Sequence, residues 1–185
     1  MSRGRIPPPD ADEYAPFYAG YVALVREHDP VGLLKRQLPV LRSVCAGMRE
    51  GEALARYAPG KWSIKEVLGH LADTERVLSY RLFRISRGDA TPLSGFDENA
   101  FVEAAGFDQR PVRELLADFE SVRVGTLQLT EAIPPGAWTR RGEANGSPIS
   151  ARALLFILAG HVEHHFGILR ARYGLAIPHI EAPPA

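Results

Sequence analysis

Four stretches of this chain repeat apolar side chains at helical spacing, each bounded by proline or glycine. No stretch shows the sustained polar–apolar alternation of a half-buried strand, so the pattern predicts an all-α fold. Asp29-Pro30 reads as an N-cap followed by proline at the first helical position. Leu33, Leu34, Leu38, Leu41 and Val44 follow, and the pattern fades near Gly47 and Gly51. Pro39 lies inside this stripe and predicts a kink or broken turn, because proline has no N–H for the helical ladder. Ser63-Ile64-Lys65-Glu66 is a capping box, in which the Ser and Glu side chains each satisfy a free N–H of the first turn. Val67, Leu71, Leu78, Leu82 and Ile85 continue that helix to a stop at Gly88. Pro111 opens the third stretch, with Leu115, Leu116, Phe119, Val122, Leu127 and Leu129, which ends before Pro134-Pro135. Ser150 caps the fourth, which runs through Leu154, Leu158 and Leu169 to Gly174.

Four helices of about 20 residues suit a four-helix bundle. A short additional N-terminal helix is expected from about Ala11 to Arg26, with Tyr14, Phe17, Tyr18 and Tyr21 on its aromatic face. The connector from Asp89 to about Arg110 is long enough to cross the bundle. It lets the second and third long helices run parallel, an up-down-down-up arrangement. The segment after Pro134-Pro135, with Trp138, Arg140, Arg141 and the turn pair Asn145-Gly146, reads as a loop. The expected organisation is one domain over residues 11–175, with a flexible N-terminal tail at 1–10 and a C-terminal tail at 176–185.

Charge narrows the partners. Lys plus Arg and Asp plus Glu both total 22 in 185 residues, so no overall surplus of positive charge favours nucleic acid. No run approaches the ~20 apolar residues of a membrane span. The first nine residues lack the apolar core of a signal peptide. The lone cysteine, Cys45, fits a reducing cytoplasm and sits at an apolar helical position as a small core residue.

Three of the six histidines sit beside apolar stripes. With about 100° per residue, Leu154, Leu158, Ile168 and Leu169 cluster between about −20° and +80° of His161. His165 falls inside that sector, near +40°, and His164 at its rim, near −60°. His161 and His165, one turn apart, can therefore share an inward metal ion. Two ligands hold a divalent ion poorly, and His70 is the candidate third. It lies seven residues after its cap, against eleven and fifteen for His161 and His165, so the heights match if the two helices are antiparallel. Asp73 or Glu66, flanking His70, could orient an imidazole, although the capping box already accounts for Glu66. His164 is a candidate for the pocket rim. Arg81 projects from the His70 side of its helix, toward an anionic substrate or a surface ion pair.

These residues carry a resemblance. Gly60-Lys-Trp-Ser-Ile-Lys-Glu-Val-Leu-Gly-His70-Leu-Ala-Asp-Thr-Glu75, Gly95-Phe-Asp-Glu-Asn99, Asn145-Gly-Ser147 and Gly160-His-Val-Glu-His-His165 resemble the DinB-like superfamily, over Tyr14 to Tyr173. That family places one His early in the second bundle helix and HxxxH in the fourth, which fall here on His70, His161 and His165. The resemblance implies the up-down-down-up bundle, one divalent metal ion (zinc or nickel) and frequently a homodimer. Its branches include thiol S-transferases, a mycothiol-dependent maleylpyruvate isomerase and proteins named as metal-dependent hydrolases.

Three neutral imidazoles leave a divalent ion its full charge and an open position, whereas structural zinc sites are usually closed by four protein ligands. The expectation is thus an enzyme in which metal activates water or a low-molecular-weight thiol toward a small-molecule substrate. The competing expectation is a non-catalytic metal- or ligand-binding protein of a stress response.

Overall fold

The computed structural model describes residues 5–181; the outermost parts of both expected tails, 1–4 and 182–185, lie outside the described residues. Among the described residues there are six α-helices: α1 (Ala19–Val25), α2 (Pro30–Ala46), α3 (Ile64–Ser86), α4 (Glu98–Ala105), α5 (Val112–Ala132) and α6 (Ala151–Tyr173). The long helices α2, α3, α5 and α6 form the bundle, and the caps sit at the expected residues. Asp29 accepts from the Gly32 N–H. Ser63 and Glu66 form the capping box. Ser150 accepts from the Ala153 N–H, and Gly174 ends α6 in the left-handed region.

Side-chain pairs define the topology. Lys35–Glu131 and Arg42–Glu120 make α2 antiparallel to α5. Glu75–Arg123 and the groove of Tyr80 and Phe83 against Gly125 and Leu129 make α3 and α5 parallel neighbours. Tyr173 donates to the Trp62 carbonyl at 2.5 Å, while His70 meets His161 farther along, so α3 and α6 are antiparallel. The result is up-down-down-up.

The core is two apolar clusters stacked along the bundle. One holds Leu33, Leu34, Leu78, Leu82, Ile85 and residues 153–159 of α6. The other holds Leu38, Leu41, Leu68, Leu71, Leu115, Phe119, Val162, Phe166 and Leu169. Between them every long helix contributes a buried polar residue: Gln37, Glu75, Arg123 and His161. Arg123, fully buried, donates from Nε and Nη2 to the two Glu75 carboxylate oxygens at 2.7 and 2.6 Å. Its Nη1 donates to the Leu34 carbonyl and to Gln37 Oε1, at 2.7 and 3.0 Å. The Gln37 amide then donates to the Ala159 carbonyl and to Glu163, both at 2.8 Å. One guanidinium thus links all four helices.

The structure corrects several expectations. The loop after Pro134-Pro135 contains a hairpin, β1 (Arg141–Ala144) and β2 (Ser147–Ser150), paired antiparallel with Arg141 opposite Ser150 and Ala144 opposite Ser147. Asn145 and Gly146 take φ of 52° and 70°, the left-handed pair a two-residue hairpin turn needs. Leu93 extends this sheet by exchanging backbone hydrogen bonds with Glu143 and Asn145. The 89–110 connector is not all loop, since it contains α4. The N-terminal helix is shorter than expected, with 3₁₀ turns at Ala11–Glu13 and Pro16–Tyr18 preceding α1. Pro39 does not break α2, which is continuous through it. Its ring lies on the exposed face, where water can satisfy the carbonyl one turn earlier. The described portions of the expected tails pack on the bundle, through Ile6 and Ile177.

Glu13 anchors the N-terminal segment. Burial opposes its ionisation, but hydrogen bonds from Arg152 and Ser150 outweigh burial and bring its pKa from 4.5 to about 2. The stabilisation is therefore fully present above the ordinary carboxylate range and is lost as pH falls from about 4.5 toward 2. Glu13→Gln should lower unfolding stability by about 1–3 kcal/mol at pH 7. In urea titrations the difference from wild type should shrink progressively between pH 4.5 and the acid limit. Arg123→Met, which leaves Glu75 charged and buried, should cost about 3–5 kcal/mol, and adding Glu75→Leu should recover part of that loss.

Candidate metal centre

His70, in the second turn of α3, faces His161 and His165 in the middle of α6, and all three are buried. His70 Nε2 lies 3.0 Å from His161 Nε2. The ring centroids of His70 stand 4.9 Å from those of both His161 and His165, which are 4.6 Å from each other. One ring nitrogen from each residue can be chosen so that all three lie within 4.8 Å of one another. This is the trio expected from helical geometry, on antiparallel helices.

Electrostatics keep these rings neutral. Burial pulls His70 down to about 4, assisted by the neighbouring His164. Burial holds His161 well below its ordinary range; the other histidines and the Arg123 charge push the same way. His165 is lowered by burial and then by His70 and His164. A neutral imidazole is the form that coordinates a metal. His165 Nδ1 is buried with no hydrogen-bond partner among the described residues, and two ε nitrogens face each other across 3.0 Å. Such a donor set fits a divalent ion of intermediate softness. No thiolate enters the set. Cys45 is in the second apolar cluster, and burial, with Glu120, pushes its thiol up to about 12.

The histidines line a cavity of about 470 Å³. α1 supplies one wall: Tyr21 packs edge-on against His161 and His164, at 5.6 and 5.1 Å between centroids. Gly160 permits this, because a Cβ there would overlap the Tyr21 carbonyl. Trp62, just before α3, lies 4.6 Å from the His70 ring and stacks nearly parallel to His165. The hairpin tip contributes Ala144, Asn145 and Ser147, and the connector contributes Phe96 and Glu98. Arg81 lines the same space from two turns beyond Thr74 on α3.

Other expected residues divide. His164 lines the cavity, half-buried. Asp73 does not; its carboxylate accepts from Arg76 at 2.8 Å. The hydroxyl that approaches His70 Nδ1, at 3.4 Å, belongs to Thr74. The signal was in the sequence: the one-turn rule that selects His165 over His164 also selects Thr74, four residues after His70, over Asp73. Glu66 is held by Arg56 and the cap. Arg140 and Arg141 lie outside the cavity, donating to the Ser86 carbonyl and to Asp12.

The sequence model of the DinB superfamily matches residues 33–169, which span all four bundle helices and all three histidines. The chain belongs to the DinB superfamily. A protein of Geobacillus thermodenitrificans (strain NG80-2) named "putative metal-dependent hydrolase" is 24% identical over 135 residues, covering 70% of this chain and 75% of that protein. Among solved structures, YfiT from Bacillus subtilis aligns with a TM-score of 0.70 at 20% identity, over 82% of this chain and 89% of its own. It is described as a probable metal-dependent hydrolase with an unusual four-helix bundle topology. A mycothiol-dependent maleylpyruvate isomerase aligns with a TM-score of 0.64 at 16% identity, over 80% of this chain and 61% of that one.

Because α1 rests on α6 at Gly160, Gly160→Ala should displace the cavity wall. The expected outcome is a loss of about 1–3 kcal/mol in denaturant unfolding. Tyr21, freed from its packing on His161 and His164, should become more accessible in solvent-perturbation spectra.

Proposed function

We propose that this protein is a metal-dependent hydrolase in which His70, His161 and His165 hold one divalent ion, zinc or nickel. The observation that carries this reading is the convergence of three neutral imidazoles on a cavity large enough for a small molecule. The names of the Geobacillus and Bacillus relatives support it. When bound, the ion supplies Lewis acidity that lowers the pKa of a ligand water and polarises a carbonyl.

The chain's own residues set the conditions for that chemistry. Thr74 Oγ1 sits beside His70 Nδ1 and fixes the ring so that Nε2 points to the cluster. Trp62 and Tyr21 cover opposite parts of the trio and limit the access of bulk water. Tyr21, which lines the cavity, keeps its proton, because burial, Glu98 and Tyr18 all raise its pKa. A low-molecular-weight thiol could take the place of water as nucleophile. The fold shared with the mycothiol-dependent isomerase is the reason to include thiols in a substrate screen.

Protein as purified should contain about one equivalent of divalent metal, and His70→Ala and His161→Ala should lose most of it. Cobalt(II) added to chelator-treated protein should quench the emission of Trp62, which lies against His70, and Trp62→Phe should abolish that quenching. Wild-type protein without metal, or variants that retain it in full, would overturn the reading. A loaded protein that turns over neither esters, amides nor thiol acceptors would leave the site as a binding centre without hydrolytic function.

A further inference from the structure

Arg81 has no role in holding the histidines together, yet it is 2% exposed and lines their cavity. Its single hydrogen bond among the described residues runs from Nη2 to the Ser94 carbonyl, at 2.7 Å, and its guanidinium lies over the Phe96 ring. No carboxylate of the described residues forms an ion pair with it. The contrast with Arg123, the other deeply buried arginine, is direct: that guanidinium spends Nε and both terminal nitrogens on Glu75, Leu34 and Gln37. A guanidinium is always charged and offers five donors in a planar fork that matches a carboxylate. Burying one without an anion is unfavourable.

The residues between Arg81 and the histidines describe what would lie there. His70, Thr74, Leu78 and Arg81 recur on one face of α3 and all line the cavity, with Ile157 of α6 also in the lining. Eleven residues of helix separate His70 from Arg81, about 16 Å along the axis. Side chains lean toward the helix N-terminus, His70 as well as Arg81, so only the greater reach of the arginine shortens that separation, to roughly 13 Å. The cavity therefore has a ligating end, an apolar middle and a cationic end. Apart from histidines, Arg81 is the one basic residue in the lining among the described residues, and Glu98 lines the same space. A dianionic phosphate would find no second cation here, whereas a carboxylate matches the single charge and the planar fork of one guanidinium.

We infer that Arg81 binds the carboxylate of the substrate, and that the substrate class is a small carboxylic acid whose reacting group lies about one extended chain length away, at the three histidines. This inference rests on the metal-dependent reading above. It makes Arg81 a specificity-determining residue of the same cavity.

The test uses pimelate, a seven-carbon diacid, and heptanoate, its monoacid counterpart, as calorimetric probes of zinc-loaded protein. Pimelate should bind wild type about ten-fold or more tighter than heptanoate or pimelate monomethyl ester. Arg81→Gln should abolish that difference while retaining the wild-type zinc content, and Arg81→Lys should keep part of it. Equal affinities of wild type for pimelate and its monoester would overturn the inference, and that arm holds even if Arg81→Gln fails to fold. Tighter binding of the matching ω-phosphonate than of pimelate would also overturn it, in favour of a phosphate-bearing substrate. Heptanoate binding to metal-free protein separates the two readings. It should persist weakly and depend on Arg81 whether or not the metal reading stands. Insensitivity of this binding to Arg81→Gln would sink the carboxylate inference and leave the metal site untouched.

Discussion

The Arg123–Glu75 pair is the interaction on which the arrangement of the bundle depends. A buried guanidinium without partners would be costly, and this one is satisfied only when α2, α3 and α5 stand at one relative height. Gln37 passes the same requirement to α6 through the Ala159 carbonyl. Apolar clusters above and below tolerate small shifts of one helix against another, because burial is not directional. A bidentate ion pair does not. His161 is two residues from Ala159, and His70 is five residues from Glu75, so fixing the polar layer also fixes where these imidazoles meet. The pair acts on the site a second way, since the Arg123 charge contributes to keeping His161 neutral.

Much of this was legible in the sequence because the governing rules are local. Capping boxes and N-caps act within four residues, and helical periodicity reports a face whatever the partner. Hence Ser63, Ser150 and Gly174 mark real helix ends, and the angular argument for His161 and His165 needed nothing beyond α6 itself. The histidine trio required one further step, the antiparallel relation of α3 and α6, and the length of the connector supplied it.

What the sequence did not reveal depends on distant contacts. The strands Arg141–Ala144 and Ser147–Ser150 contain Gly, Pro and charged residues, with low strand propensity, and are four residues each. Pairing with Leu93 and the seat of Gly142 against Ile85 hold them, and neither is visible locally. Pro39 misled for the opposite reason: the local rule is sound, but its cost falls on a solvent-facing carbonyl. Arg123 occupies an ordinary position in the α5 pattern, and nothing nearby in sequence marks it as the centre of the polar layer.

The cavity is built from two kinds of parts. Its three histidines stand on long helices locked by the polar layer, whereas Tyr21, Phe96, Glu98 and Asn145 arrive on α1, the connector and the hairpin, outside the bundle proper. Substitutions in those three excursions can reshape what enters without moving a histidine. A scaffold divided this way is evolvable: one buried histidine cluster can stay in place while its surroundings drift.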